Sequence, residues 1–274
     1  MTSYPNCPLP REINVTALVS AFRVQRDHDY YFSGEQHDFY ELVYVVRGKA
    51  GITAGDRVYV LEQGQCVLHP PMEFHRVWAE DATSPELIIL SFYAKQMPPA
   101  IGGRYCMSPS VRVLIEEWMD ENVRVFTHEN ILVTGILDYA GARRQLSMLE
   151  LVLAELFSSD PAPGRVHSGS AGAYTEIVRT MKEHLGQPLT IEQLSNLCHM
   201  SKSNLKRIFL RYSGMGVIGY FNRMKINRAC ELLVQGESVG NTARVLGFSD
   251  QNYFSTVFRR ITGLSPSAYA KQEK

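Results

Sequence analysis

The sequence predicts an α+β protein of more than one domain, with a small N-terminal β-barrel followed by helices and an all-α C-terminal domain. Between about residues 13 and 95, short runs of β-branched and aromatic residues alternate with Gly, Pro and Asp, a spacing typical of a sandwich or barrel. Residues 158–172 are rich in Ser, Pro and Gly, which predicts a flexible linker. From Ala173 the chain has helical patterning and is basic to its end.

Five runs in the first part are predicted strands: ELVYVVRG, KAGITAG, DRVYVLEQG, QCVLHPP and ELIILSFYA. Two later segments, SVRVLIEEWMDENVRVF and ARRQLSMLELVLAELFSS, place apolar residues three and four positions apart, which predicts amphipathic helices. We therefore expect a first domain at 1–157, a linker at 158–172 and a second domain at 173–274.

The charge of the chain is distributed unevenly. The 274 residues have a formal net charge of zero, but residues 1–160 hold 13 basic and 21 acidic residues, a net charge of −8. Residues 161–274 hold 15 basic and 7 acidic residues, a net charge of +8. A basic second half favours binding to a polyanion, with chance surface composition as the alternative.

The cysteines and the apolar segments restrict the class of protein further. Five scattered cysteines form no CxxC pair, which argues against a disulfide framework or a zinc ribbon and favours a reducing compartment. The first residues have no apolar core of a signal peptide, and no stretch approaches eighteen apolar residues. The expectation is a soluble, cytoplasmic protein without membrane association.

The stretch LTIEQLSNLCHMSKSNLKRIFLRYSG predicts two short helices joined by a tight turn. Thr190 and Gln193 have the spacing of a capping box at the start of the first helix. Ser201 can cap the second helix, which would bury Leu205 and Phe209 and expose polar and basic residues. A helix-turn-helix motif that binds in the DNA major groove requires this arrangement, although an ordinary pair of packed helices shows the same pattern.

A second unit of this kind follows in ESVGNTARVLGFSDQNYFSTVFRRITGLSP. A helix at about 241–246 is predicted to end at Gly247, and another begins after Ser249 or Asp250 with Phe254 and Phe258 inward. Between the units, GYFNRMKINRACELLV is predicted as a long amphipathic helix that sets their separation. Two recognition helices held in this way can enter successive major-groove segments about 34 Å apart.

The C-terminal segment resembles the DNA-binding domain of the AraC/XylS family of bacterial transcription regulators. The resemblance lies in MSKSNLKRIF, in YFNRMKINRACELL and, as its most diagnostic part, in GFSDQNYFSTVFRRITGLSPSAY, and it covers about residues 173–272. Val217 stands where a proline is usual and Thr242 where an isoleucine is usual. These differences predict slightly weaker packing of the second unit and remove no DNA-facing residue.

The resemblance implies that the second helix of each unit contacts DNA. The implied base or backbone contacts are Ser203, Asn204, Lys206, Arg207, Gln251, Asn252, Ser255 and Thr256. The implied phosphate contacts are Lys202, Arg211, Arg259 and Arg260. Asn and Gln can pair with adenine and Arg with guanine, whereas phosphate contacts position a protein without specifying sequence. An ordinary solvated side chain is the alternative for each residue.

The N-terminal half contains a second group of interest in EQHDFYELVYVVRG. If this stretch is a strand, Glu35, His37, Phe39 and Glu41 point to one side, because side chains alternate along a strand. Imidazole and carboxylate groups together can hold a divalent metal ion. They can also bind hydroxyl groups of a ligand, or pair with one another and only line the barrel.

The spacing of these residues resembles the two motifs of the cupin superfamily, and most closely the barrel sensor of sugar-responsive AraC-type regulators, over about residues 20–95. Metal-dependent cupins carry His-x-His and a glutamate in the first motif and a further histidine in the second. The resemblance places Glu35 at the first histidine, and His37, Glu41 and His75 at the other three positions. The implied effector-binding residues are Glu35, His37, Phe39, Glu41, His75 and Trp78.

This interpretation requires no cofactor, but it leaves open whether His37, Glu41 and His75 hold a divalent metal ion. His69 is expected to be structural, and Phe39, Phe74 and Trp78 are either stacking walls for a carbohydrate or core residues. The helices between about 109 and 158 resemble the dimerisation segment of the family. The segment LSMLELVLAELF has the apolar density of a two-helix seam, with packing on its own barrel as the alternative.

These features together predict a transcription regulator and not an enzyme. We expect the barrel to bind a small-molecule effector, by resemblance a carbohydrate, and to change how a homodimer sits on double-stranded promoter DNA, with RNA polymerase as a further partner. One alternative is a metal-dependent cupin enzyme with an accessory DNA-binding domain, which the glutamate at position 35 disfavours. The other is an effector-independent DNA binder.

Overall fold

The computed structural model describes residues 12–98, 103–122, 139–158 and 169–272. The strands are β1 (Asn14–Gln25), β2 (Tyr40–Arg47), β3 (Lys49–Ala54), β4 (Arg57–Glu62), β5 (Gln65–His69), β6 (His75–Ala79), β7 (Glu86–Gln96) and β8 (Arg104–Cys106). The helices are α1 (Pro109–Asn122), α2 (Tyr139–Ser158), α3 (Ser170–Glu183), α4 (Ile191–Leu197), α5 (Lys202–Ser213), α6 (Val217–Val234), α7 (Val239–Val245), α8 (Gln251–Thr262) and α9 (Pro266–Gln272).

The α+β architecture predicted from the sequence is confirmed. The chain forms two compact units, of which the first comprises Met1–Phe32, Gln36–Ile52 and Tyr59–Arg165, and the second Ser33–Glu35, Thr53–Val58 and Val166–Lys274. Most of the predicted linker, residues 159–168, lies outside the described residues, as do Cys7 and residues 123–126 of the first predicted helix. No described helix is both long and apolar enough to cross a membrane.

The strands form two sheets, with strand orders β1-β7-β2-β5-β8 and β4-β3-β6. Strand β2 pairs antiparallel with β5 on one side and β7 on the other. Its residues 41–45 are all buried, as expected for a central strand covered on both faces. The five predicted strands are confirmed, and β1, β6 and β8 are added to them.

The segment at residues 36–39 differs from its prediction, because it is not a strand. Strand β2 begins only at Tyr40, after a bend at Asp38 and Phe39. The His37 carbonyl accepts a hydrogen bond from the backbone N–H of Met72, at 2.7 Å, so this segment is tied to the turn between β5 and β6. The backbone at His37 is thus held by a turn contact and not by a ladder of strand pairs.

Helices α1 and α2 complete the core of the first unit. Trp118 of α1 is 1% exposed, and its indole N–H donates to the Gln145 carbonyl of α2 at 3.0 Å. Leu149, Val152 and Leu153 of α2 pack in the same core as the sheet residues. Part of the apolar side of LSMLELVLAELF therefore packs within the chain, whereas Leu151 is 46% exposed, and the dimer seam stays a prediction.

The second unit contains the two predicted helix-turn-helix pairs, α4 with α5 and α7 with α8, and the intervening helix α6. Thr190 and Gln193 form the predicted capping box at the start of α4. The side chains of Ser201 and Asp250 cap α5 and α8 by accepting from backbone N–H groups three residues further on. Helix α7 begins at Val239, slightly before its predicted start, because Ser238 caps it.

The turn between α7 and α8 depends on a glycine. Gly247 has a φ of 65°, a left-handed conformation that side chains disfavour. A Cβ atom at this position would lie 2.5 Å from the Gly186 carbonyl oxygen. The absence of a side chain therefore permits close approach of the turn to the segment after α3.

Candidate DNA-binding surface and effector site

Helix α5 divides cleanly into a buried and an exposed side. Leu205, Ile208 and Phe209 are buried, with exposures of 0%, 4% and 0%. The residues predicted to contact DNA face outward: Lys202, Ser203, Lys206, Arg207 and Arg211 are exposed and Asn204 is partly buried. Every residue predicted to contact DNA from this helix therefore lies on the side that the core leaves free.

Arg207 and Asn204 act as a pair on this surface. The Arg207 guanidinium donates to Asn204 Oδ1 at 2.7 Å, and the backbone N–H of Asn204 donates to the capping hydroxyl of Ser201 at 3.2 Å. The pair holds the guanidinium near the helix start, where a planar fork of donors suits the O6 and N7 atoms of guanine. Lys202 lies 3.2 Å from Glu192, an exposed ion pair of little energetic weight.

Helix α8 repeats the arrangement of α5. Phe254, Val257 and Phe258 are at most 1% exposed, whereas the predicted contact residues lie on the opposite side. Gln251, Asn252, Thr256, Arg259 and Arg260 are exposed, and Ser255 is partly buried. The Thr256 hydroxyl donates to the Asn252 carbonyl at 2.9 Å. Its hydrogen is used in this bond, so the hydroxyl can act toward DNA only as an acceptor.

Sequence reasoning missed one residue of this surface. Tyr253 is 51% exposed and lies beside Asn252 in the first turn of α8. The sequence pattern could have indicated this exposure, because Tyr253 directly precedes the buried Phe254 and lies outside the apolar stripe of the helix. The sequence analysis gave Tyr253 no role, although a phenol at a helix start can donate a hydrogen bond to phosphate.

In the first unit, strand pairing positions the carboxylate of Glu41. Residue 41 pairs with His69 of β5 and with Ser91 of β7. Glu41 is 7% exposed, and its Oε2 accepts a hydrogen bond from the Ser91 hydroxyl at 3.1 Å. Ser91 in turn accepts from the Ser20 hydroxyl at 3.1 Å, so two neighbouring strands support this buried carboxylate.

Two histidines approach the Glu41 carboxylate from different segments. His75 Nε2 lies 3.2 Å from Glu41 Oε1, and His37 Nε2 lies 3.6 Å from Glu41 Oε2. The two imidazole rings are 4.8 Å apart between centroids. Glu35, which is exposed, completes a group of four with His37, Glu41 and His75 in which one ligand atom from each lies within 4.8 Å of the others.

A stacked ring packs against each of these two histidines. The Phe39 ring stacks on His37 with centroids 3.7 Å apart, and the His69 ring stacks on His75 at 4.3 Å. His69 is 1% exposed and pairs with Glu73, at 2.8 Å between Nδ1 and Oε2. Sequence reasoning assigned His69 a structural place but gave no role to Glu73 or to Ser91.

The buried groups perturb one another's protonation. Burial raises the pKa of Glu41, but the adjacent imidazoles of His37 and His75 outweigh it and hold the pKa of this carboxyl well below its ordinary range. Burial lowers the pKa of His69, and the neighbouring His75 lowers it further against the opposing effect of Glu73. Glu41 is therefore a buried, ionised carboxylate at neutral pH.

The structure does not bring Trp78 to this cluster. Trp78 and His75 are three positions apart in β6, so they point to opposite faces of the strand. The indole lies against Gly51, where a Cβ atom would come within 2.0 Å of it, and its N–H donates to Glu80 at 2.6 Å. Phe74, another of the three aromatic residues considered as walls, is 5% exposed.

Comparisons with known proteins match both halves of the chain. Residues 18–103 match the family model described as AraC-like ligand binding domain, and residues 194–272 match the model described as helix-turn-helix domain. The MmsAB operon regulatory protein of Pseudomonas aeruginosa is 27% identical, over 97% of this chain and 85% of that protein. The transcriptional activator RhaR of Pectobacterium atrosepticum is 27% identical, over 88% of this chain and 87% of that protein.

A solved structure described as a transcriptional regulator with an AraC-type DNA-binding domain, from Chromobacterium violaceum, is 28% identical. It covers 39% of this chain and 96% of its own, with a TM-score of 0.37. The sequence matches define a transcription regulator with a ligand-binding and a DNA-binding domain. The chain belongs to the AraC/XylS family of transcription regulators and carries an N-terminal sensor domain.

Proposed function

We propose that this chain is a sequence-specific regulator whose N-terminal barrel senses a small polar molecule, a carbohydrate as the first class to test, and whose C-terminal domain binds promoter DNA. The observation that carries the proposal is the repeated form of α5 and α8. Each has a capped start, a buried apolar side and an exposed side of hydrogen-bonding and basic residues. That form suits insertion of two helices into the major groove.

The proposed DNA contacts fall into two kinds. Arg207, Asn204, Gln251 and Asn252 read base edges, since their side chains carry the paired donors and acceptors that distinguish guanine and adenine. The exposed cations toward the ends of the surface, Lys202, Arg259 and Arg260, contact phosphates and add affinity for any sequence. The remaining predicted contacts are Ser203, Lys206, Arg211, Ser255 and Thr256.

The effector part of the proposal is supported by the buried polar cluster. Glu41, His37 and His75 offer hydrogen-bonding groups inside the barrel, and Glu35 extends the group to the surface. Hydroxyl groups of a carbohydrate can both donate to Glu41 and accept from a histidine N–H. We propose the same domain arrangement as expected from the sequence, with the barrel and its helices at 1–157 and the DNA-binding domain at 173–274.

In this function the effector changes how two copies of the chain sit on a promoter, and RNA polymerase is the downstream partner. The effector must bind one arrangement of the domains more tightly than another, because a ligand with equal affinity for both shifts nothing. The chain acts as a regulator and not as an enzyme, in keeping with the names of its relatives.

The experiment that tests DNA reading uses Arg207→Ala in the full-length chain. A binding sequence is selected from random DNA with the wild-type protein, and affinities for it and for unrelated DNA are measured by fluorescence anisotropy at constant salt. We expect Arg207→Ala to weaken binding to the selected sequence by about 1–3 kcal/mol and to relax specificity locally. Unrelated DNA should lose much less.

The matched control is Arg179→Ala. Arg179 is an exposed arginine of α3 that is paired with Glu176 and Glu183, and α3 supplies none of the proposed contacts. It should leave the preference for the selected sequence unchanged. Equal losses for Arg207→Ala on selected and unrelated DNA would assign Arg207 to a phosphate and remove it from base reading. Failure of the wild-type chain to enrich any sequence would contradict the proposed function.

A further inference from the structure

The turn between β3 and β4 belongs to the second compact unit. Residues 53–58 are grouped with the helices from α3 onward, whereas the other residues of β3 and β4 are grouped with the first unit. Gly55 and Asp56 form the turn itself. Thr53 and Ala54, which lead into it, are 0% and 5% exposed, although the tips of hairpins ordinarily lie at the surface. The tip is therefore part of the packing of the second unit.

Thr53 caps the C-terminal end of α5, the first of the two helices proposed to read DNA. Its hydroxyl donates to the Tyr212 carbonyl at 2.7 Å. Tyr212 lies in the last turn of α5, where the carbonyls have no partner within the helix. The bond is buried, and a buried hydrogen bond is costly to lose because water does not readily replace the missing donor.

The carbonyl of Gly55 connects two further helices to the turn. It accepts from the Tyr174 hydroxyl of α3 at 3.0 Å and from the Tyr220 hydroxyl of α6 at 3.2 Å. A carbonyl oxygen has two lone pairs, so one backbone group serves both phenols. Tyr174 is fully buried and Tyr220 is 4% exposed. The turn therefore supplies an acceptor to two hydroxyls inside the unit.

The same two tyrosine rings pack on the buried side of α5. The ring centroid of Phe209 lies 5.5 Å from that of Tyr174 and 5.2 Å from that of Tyr220. At the edge of this group, the Asp56 carboxylate lies 2.6 Å from the Lys182 ammonium of α3. The turn between β3 and β4 thus makes contacts with α3, α5 and α6 at once.

We propose that Thr53, Gly55 and Asp56 are positioning residues of the first helix-turn-helix unit and hold α5 in the orientation that reads DNA. Lys206 and Arg207 are exposed with the turn in place, so the turn supports the DNA-binding surface without covering it. The inference adds residues 53–58 to the domain expected at 173–274. It rests on the proposed function for the role of α5, and its first test measures the helix without DNA.

The first test is hydrogen exchange of the full-length chain, read by mass spectrometry in peptides from α5 and α8. Thr53→Val removes the hydroxyl and keeps the size of the side chain. We expect it to speed exchange of the last-turn amides of α5 by about tenfold, because the helix end opens more readily without its cap. Thr53→Ser keeps the hydroxyl and should retain most of the protection, and α8 should be unchanged in both.

The matched control is Thr83→Val. The Thr83 hydroxyl donates to the carbonyls of Lys49 and Glu80, which lie in the first unit with it. This substitution also removes a hydroxyl that donates to backbone carbonyls, but it should leave exchange in α5 at the wild-type rate.

A charge reversal tests the turn without altering its buried residues. Asp56→Lys places a second ammonium group beside Lys182 and should speed exchange in α5 by about two- to fivefold, as expected for a partly exposed ion pair. Combining Asp56→Lys with Lys182→Asp restores the attraction and should return exchange toward the wild-type rate. A loss that the second substitution reverses reports the contact itself and not a general loss of folding.

The second measurement is affinity for the sequence selected with the wild type. Thr53→Val should weaken this binding severalfold and Thr53→Ser much less. Unchanged exchange in α5 in both Thr53→Val and Asp56→Lys would overturn the proposal. Faster exchange without loss of affinity would remove the positioning role, and a gain of affinity would make the turn an inhibitory contact instead. If the wild type enriches no sequence, the proposed function fails, while the exchange rates still decide whether the turn holds α5.

Discussion

At the scale of single residues, Thr242 of α7 has a buried hydroxyl in the core of the second unit. Its side chain is fully buried, and its hydroxyl oxygen has no hydrogen-bond partner among the described residues. It lies between Asn241 and Ala243, and Ala243 packs against Phe254 and Phe258 in the core that holds α8. A buried hydroxyl without a partner costs free energy, because water satisfied it in the unfolded chain.

We therefore expect Thr242→Val, which replaces the hydroxyl by a methyl group of similar size, to raise the free energy of unfolding by about 1–2 kcal/mol. Urea denaturation of the full-length chain, followed by circular dichroism, measures the change. The matched control is Thr180→Val. Thr180 is also buried, but its hydroxyl donates to the Glu176 carbonyl at 2.9 Å, so this substitution should be neutral or destabilising. A stabilisation by both substitutions, or by neither, would contradict the account.

At the scale of elements, α6 is joined to the segment after α3 through a buried lysine. Lys225 is 4% exposed, and its ammonium group donates to the Gln187 carbonyl at 2.8 Å. The ammonium also lies 4.8 Å from the Phe221 ring centroid and 5.2 Å from that of Phe248. Burial lowers the pKa of Lys225 to about 8, so the charged form is less favourable in the folded chain than in water.

The lowered pKa of Lys225 makes stability depend on pH. Between the folded value of about 8 and the ordinary value of 10.5, the unfolded chain binds more protons at this residue than the folded chain does. The free energy of unfolding therefore rises with pH across this interval. We expect the wild type to gain stability relative to Lys225→Met as the pH rises from about 8 to about 10 and to show a constant difference below that. Urea denaturation of both chains over a pH series measures it, and since the other titrating groups are common to both, a difference independent of pH would contradict the prediction.

The elements themselves differ in how well the sequence predicts them. The starts of α4, α5 and α8 were predicted because a capping side chain and its N–H partner are three residues apart, so the signal is local. The prediction of a strand from Glu35 was wrong, because the alternating sequence pattern extends over residues 36–39, where the backbone bends. The bend is held by Met72, which is far away in the sequence, and no local pattern reports such a contact.

At the scale of the whole molecule, the proposed regulator must couple effector binding to DNA binding, and the first step of that coupling can be measured alone. We expect a small polar effector bound in the barrel to raise the melting temperature of the full-length chain. A ligand at 100 times its Kd adds about 2.7 kcal/mol to the free energy of unfolding. A thermal-shift screen of monosaccharides, disaccharides and related hydroxy acids measures the effect.

The control for this screen is Glu41→Gln, which removes the central carboxylate of the cluster while keeping its size. An effector that binds at the cluster should shift the melting temperature of the wild type and shift that of Glu41→Gln much less. A shift of equal size in both would place the ligand elsewhere. If no compound in the screen stabilises the wild type, the carbohydrate class is contradicted and an effector-independent DNA binder becomes the better description.

The sequence by itself determined the class of the protein and the surface of its DNA-binding helices. In an amphipathic helix the buried and exposed sides can be recognised from the local sequence, because a turn takes about four residues. Leu205 and Phe209 therefore indicate the buried side of α5, and Lys206 and Arg207 indicate its exposed side, without reference to any other segment. The tertiary structure decided what the sequence left open. Strand pairing brings Glu41 to Ser91, and a turn brings His37 to His75, across separations that no local pattern spans. In the same way, only the folded chain shows that Leu149, Val152 and Leu153 of α2 pack in the core of the sheets.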